Sequence, residues 1–87
     1  MRAQLAPLRQ EVQRLERELD TLAKERTALE AQLADASIYE PAAAARLRAA
    51  LAGQAELARR TGGAEEAWLM ASERLEAATS AAANVTD

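Results

Sequence analysis

Apolar residues return after three and then four positions through the first third of the chain, at Leu5, Leu8, Val12, Leu15, Leu19, Leu22, Leu29 and Leu33, with Arg26 in the one vacant step. A mean spacing of 3.5 keeps one face of a helix apolar only when that helix supercoils around a partner, so the pattern predicts a coiled coil. A second run with the same spacing follows a break at Ser37-Ile38-Tyr39-Glu40-Pro41. It passes through Ala43, Leu47, Ala50, Gln54, Leu57, Thr61, Ala64, Trp68, Ala71, Leu75 and Ala78. Folding the chain back at the break makes the two stripes antiparallel. Both helices rise equally per residue, so facing positions should carry numbers adding to about 80. On that rule Leu33 meets Leu47, Leu22 meets Leu57, Val12 meets Trp68 and Leu5 meets Leu75, and the two polar positions, Arg26 and Gln54, share a layer. The expected fold is all-α: one unit over residues 1–87, a two-helix antiparallel coiled-coil hairpin.

Helix boundaries follow from the punctuating residues. Proline is tolerated in a helix's first turn, so the first helix should begin near Pro7 or a turn earlier and span about residues 4–36. The residue before a proline is pushed out of the helical region, which sets the turn at about 37–40 and starts the second helix at Pro41. Ser37 with Glu40 also spells a capping box, but Pro41 fits better as the first helical position. Ile38 and Tyr39 are apolar residues at the tip and should fold back to plug the end of the seam. The second helix should run to about residue 78; the tail 79–87, with no facing partner, should fray. Gly62-Gly63 costs about 1 kcal/mol per glycine in a helix interior, which predicts a bend or a local weak point there.

Composition sharpens this picture. An 87-residue two-helix hairpin encloses no compact core, so its stability must come from a long thin seam. Absence of cysteine and histidine, and of a glycine-rich phosphate loop, removes disulfides, thiol nucleophiles, the usual zinc sites and nucleotide binding. Adjacent carboxylates such as Glu65 and Glu66 point about 100° apart on a helix and cannot share one substrate. No catalytic residue, bound cofactor or metal site is therefore expected in this chain. No apolar run approaches the roughly 20 residues of a membrane span and no signal-peptide pattern is read, so the expected setting is the cytoplasm, away from membranes.

A net charge of −3 gives no global attraction to nucleic acid. The charge is uneven, however. Between residues 41 and 61, Arg46, Arg48, Arg59 and Arg60 stand against Glu56 alone, a cluster able to grip phosphates without reading bases. Ordinary ion pairing competes with that role, because Arg59 or Arg60 lies across from Asp20, and Glu56 from Lys24. Along the first helix, pairs such as Asp20 with Lys24 suit a solvated face. Trp68 is expected to pack in the seam against Leu8, Val12 and Leu15.

The run Leu33-Ala34-Asp35 to Tyr39, a Pro-led helix, and some thirty residues later Glu65-Glu66-Ala67-Trp68-Leu69 before Glu73-Arg74-Leu75-Glu76 together resemble the C-terminal coiled-coil domain of Uup-like ABC-F ATPases. The resemblance covers about residues 5–77. It implies a tail domain of a longer cytoplasmic protein whose two ATP-binding cassettes lie upstream and carry the ATP chemistry. It also implies contact with nucleic acid, either DNA or ribosomal RNA. Arg46, Arg48, Arg59 and Arg60, with Arg2, Arg9 and Arg14 near the open end, are the candidate phosphate contacts. Gly62-Gly63 and the modest basic charge depart from the family's pattern. Two other readings stand beside this one. The hairpin could serve as a structural or protein-docking module, using its seam flank or the tip residues Ile38 and Tyr39 against the parent's ATPase domains or another protein. It could also be the tRNA-contacting arm of an aminoacyl-tRNA synthetase. Self-association into a four-helix bundle stays open.

Overall fold

The computed structural model describes residues 2–84, with side chains from Gln4 to Asn84. Two long helices, α1 (Arg2–Ala34) and α2 (Ala44–Asn84), pack antiparallel in a rod of 72 × 15 × 15 Å. The leucine stripe of α1 faces the alanine-rich stripe of α2. Leu15 and Leu22 are buried on one side; Ala50, Ala64 and Ala71 are buried on the other. Small residues opposite leucines let the two backbones approach closely, and Leu22 is the largest fully buried side chain at 1% exposure. At Gly53 the backbone lies beneath Leu29: a methyl group there would stand 3.5 Å from Leu29 Cδ2, an ordinary packing distance.

The turn is built from two short 3-10 segments, Ala36–Tyr39 and Pro41–Ala43. Asp35 caps the first of them, its Oδ1 accepting the Ser37 backbone N–H at 2.9 Å. Asp35 caps this segment alone; at the following one Glu40 is the N-cap and makes no side-chain capping hydrogen bond. Glu40 is extended and Pro41 opens the next segment, as expected of a residue and the proline that follows it. Ile38 is 3% exposed and plugs the seam's end. Tyr39 does not fold in with it. Its ring is 60% exposed, and its hydroxyl donates to the Leu33 carbonyl at 2.6 Å, closing the last turn of α1 from outside. A phenol satisfies its polar end more easily at the rim than inside a seam of alanine and leucine.

Several boundaries differ from expectation. The first helix starts at Arg2 and ends at Ala34, so Pro7 sits one turn inside it. The second remains helical through Asn84, where fraying was expected from Thr79. Alanine is the strongest helix former, and Thr79 Oγ1 donates to the Leu75 carbonyl at 2.8 Å in this stretch. Residues 85–87 of the expected tail lie outside the described residues. Gly62-Gly63 does not unwind α2, which is helical on both sides of it and through it. Helix context on either side outweighs the local cost of two glycines.

Arg26 beside Gln54 and Leu29 beside Ala50 follow the facing rule, while other contacts fall a few residues beyond it. Leu29 lies over Gly53, Glu25 pairs with Arg60 and Trp68 reaches Glu16; each pair adds to a few more than 80. The physical reason is the tilt of side chains toward their own helix N-terminus. In an antiparallel pair, α1 side chains lean to the open end and meet higher numbers on α2. Those of α2 lean to the tip and meet higher numbers on α1.

Candidate functional site

Trp68 and Tyr39, the sharpest elements of the sequence pattern, both make specific hydrogen bonds. Trp68 is half-buried, and its Nε1 donates to Glu16 Oε2 at 3.2 Å across the two helices. It lies over Glu16 and Leu19, a turn nearer the tip than the expected partner Val12. The tilt of the tryptophan toward the α2 N-terminus accounts for the shift. Sequence reasoning missed Glu16 because a carboxylate beside a seam looks like ordinary solvated surface.

The structure divides the seven candidate phosphate contacts. Arg14 is held by its own helix: its guanidinium donates to both carboxylate oxygens of Glu11 at 3.0 and 2.7 Å and reaches Glu18 at 3.4 Å. That fork holds the Glu11 carboxyl below its ordinary range. Arg59 donates from Nε to Glu56 Oε2 at 3.0 Å and from Nη2 to Glu56 Oε1, holding Glu56 down in the same way. Arg60 crosses the seam to Glu25 at 3.6 Å. Arg9, Arg46 and Arg48 are exposed and, among the described residues, stand in no ion pair. The Arg2 side chain lies outside those described. The expected interhelical pairs of Arg59 or Arg60 with Asp20, and of Glu56 with Lys24, do not form. Asp20 instead bonds Lys24 on its own helix at 3.1 Å. Neighbours three or four apart on one helix meet more readily than residues across a seam filled by alanine.

Arg46 does not stand alone at the tip. It lines a groove of about 280 Å³ with Leu29, Gln32, Asp35, Ile38 and Ala50. The Asp35 carboxyl there is held below its ordinary value, first by the Ser37 backbone N–H, then by the Ser37 side chain, with the Arg46 charge a smaller contributor. Arg26 and Gln54 do share one groove, but Arg26 is exposed and pairs with Glu30 at 3.6 Å. The polar layer of Arg26 and Gln54 thus sends its arginine head out to solvent beside Glu30. Ser72 Oγ is buried and makes no hydrogen bond.

The two edges of the seam differ in charge. On one, acid faces base: Glu25 meets Arg60, and the Arg74 charge acts on Glu11. On the other, Glu16 and Glu65 line one groove with Leu19, Trp68 and Leu69. Among the described residues, no group of three His, Cys, Asp or Glu side chains is placed to hold a metal ion, and no helix is long and apolar enough to cross a membrane. The arrangement can present charged and apolar surface along a rod. Comparison with known proteins finds no matching family model, no similar curated sequence and no similar solved structure.

Proposed function

We propose that this hairpin is the non-catalytic coiled-coil tail of a longer ABC-F-like, Uup-like cytoplasmic ATPase, and that it contacts nucleic acid phosphates through arginines of α2. The observation that carries the contact is that Arg46 and Arg48, in the half of α2 nearest the tip, are exposed and free of ion pairs among the described residues. On a helix Arg48 and Arg59 project about 20° apart and some 16 Å along the axis, so together they follow a backbone along the rod's outer face. The Glu56 that holds Arg59 is itself exposed, and an exposed pair yields readily to a phosphate. Support for the tail assignment is the sequence resemblance that Tyr39 and Trp68 help to carry, together with the two-helix hairpin itself. The ATP sites and the energy they supply belong to the parent protein; this chain contributes reach and charge.

The test is binding of the isolated hairpin to a branched DNA and to a structured RNA across a salt series, beside a variant with Arg46, Arg48, Arg59 and Arg60 changed to Glu. Each neutralised phosphate releases counterions, so affinity should fall linearly with salt on logarithmic axes. The variant should bind at least tenfold more weakly. Preference for one nucleic acid over the other identifies the partner class. No binding at low salt overturns phosphate contact and leaves protein docking, for which the exposed Tyr39 ring held at the tip is the favouring observation.

A further inference from the structure

Gly62 has no explanation within the hairpin. A glycine in a helix interior costs about 1 kcal/mol relative to alanine. A methyl group at Gly62 would meet nothing within 4 Å, so no close contact inside the fold requires its absence. Gly62 instead lines an open groove of about 350 Å³ along the edge opposite the Glu25–Arg60 pair, with Leu29, Leu57 and Ala58 as its apolar part. Glu65 belongs to this groove and also to the shallower depression beside Trp68 and Leu69, so the two adjoin at Glu65 and together form a channel. Leu69 is 53% exposed beside it.

The rim charges identify what fits. Glu16, Glu30 and Glu65 stand along the channel with one arginine, Arg26, which pairs with Glu30 at 3.6 Å, so Glu16 and Glu65 carry its unbalanced negative charge. From Glu16 to Glu30 the channel follows α1 for about 21 Å, some four turns of helix. We propose that this channel is the docking site of a basic amphipathic helix from a partner protein. The helix would lay a small apolar face over Ala58 and Gly62 and its lysines or arginines against Glu16 and Glu65, with Glu30 shared with Arg26 at the channel's end. An apolar groove with complementary rim charges suits helix-in-groove recognition, and the missing Cβ of Gly62 lets the incoming backbone approach. A second copy of this chain fits less well, because a two-fold contact would set Glu16, Glu30 and Glu65 against themselves. This site shares no residue with the arginines proposed for nucleic acid, and the two readings fail independently.

Trp68 is the sole tryptophan and lines the channel, so its fluorescence reports occupancy directly. The probe is a synthetic sixteen-residue helix with an alanine–leucine stripe flanked by arginines, titrated at low salt beside the same peptide with glutamates for the arginines. The expected result is a saturable change with the basic peptide only. Binding should weaken at least tenfold in Glu30→Lys/Glu65→Lys and in Gly62→Leu, while Gly62→Ala loses less. Gly62→Leu should fold, since open space surrounds that position, and circular dichroism checks it. Four outcomes overturn the proposal: no saturable change, equal binding of the two peptides, undiminished binding by Gly62→Leu, or sedimentation showing that the hairpin covers the channel by pairing with itself. The variant with Arg46, Arg48, Arg59 and Arg60 changed to Glu should bind the peptide undiminished, which separates this result from the fate of the nucleic-acid reading.

Discussion

Leu22, almost completely buried between the two helices, gives the clearest measure of what the seam contributes. Leu22→Ala should destabilise the hairpin by about 3 kcal/mol in chemical denaturation, because the lost contacts leave a cavity in a rod with no second layer to fill it. Leu51→Ala, at a half-exposed position, should cost under about 0.5 kcal/mol by the same measurement. Ser72→Ala should stabilise by about 1 kcal/mol, since it removes a buried hydroxyl with no partner and improves helix propensity. Asp35 gives a pH signature. Its carboxyl titrates lower when folded, so its contribution is present above the ordinary carboxylate range and is lost as pH falls through the lowered value. Thermal melts of Asp35→Ala should therefore show a lower midpoint than the wild type at neutral pH and a gap that closes in acid. At this scale the sequence was legible where size and apolarity decide, as with Ile38 and the leucine stripe. It was not legible where polar groups choose among nearby partners: Tyr39 could satisfy its hydroxyl at the Leu33 carbonyl, and Trp68 found Glu16.

Helix α2 was the harder element to read. Its alanines gave the seam but not the end of the helix, because a stretch with no facing partner can still be helical through propensity alone. Two glycines in its middle predicted a bend or a weak point, yet the helix is unbroken through them; the rule states a free-energy cost, and a cost need not appear as a loss of helix. The cost remains measurable. Gly62→Ala and Gly63→Ala should each raise stability by about 0.5–1 kcal/mol, read as a higher thermal midpoint with no change in helical content. A fall in midpoint would mean that the open space around these positions is needed by the hairpin itself. The antiparallel register was nearly legible. Counting residues placed Arg26 beside Gln54 and Leu29 beside Ala50, and the lean of the side chains moves contacts such as Trp68 with Glu16 to slightly higher numbers.

As a whole the molecule is a rod with a Cα radius of gyration of 19.7 Å. Small-angle scattering should return one such rod per particle; doubled mass at unchanged length would show hairpins lying side by side. The hydrogen bond from Tyr39 to Leu33 spans six positions of chain, whereas that from Trp68 to Glu16 spans 52. Closing a loop costs entropy that grows with its length, so the tip is the cheapest place for the two helices to meet. Assembly should then run as a zipper from the tip toward the open end, and opening should run in reverse. Amide exchange followed residue by residue should show protection highest near Ala43 and Ala50 and lowest beyond Leu75. The opposite gradient would make the tryptophan contact, rather than the turn, the place where folding begins. During synthesis α1 emerges complete before any of α2, so its leucines stay uncovered until the turn has cleared the ribosome.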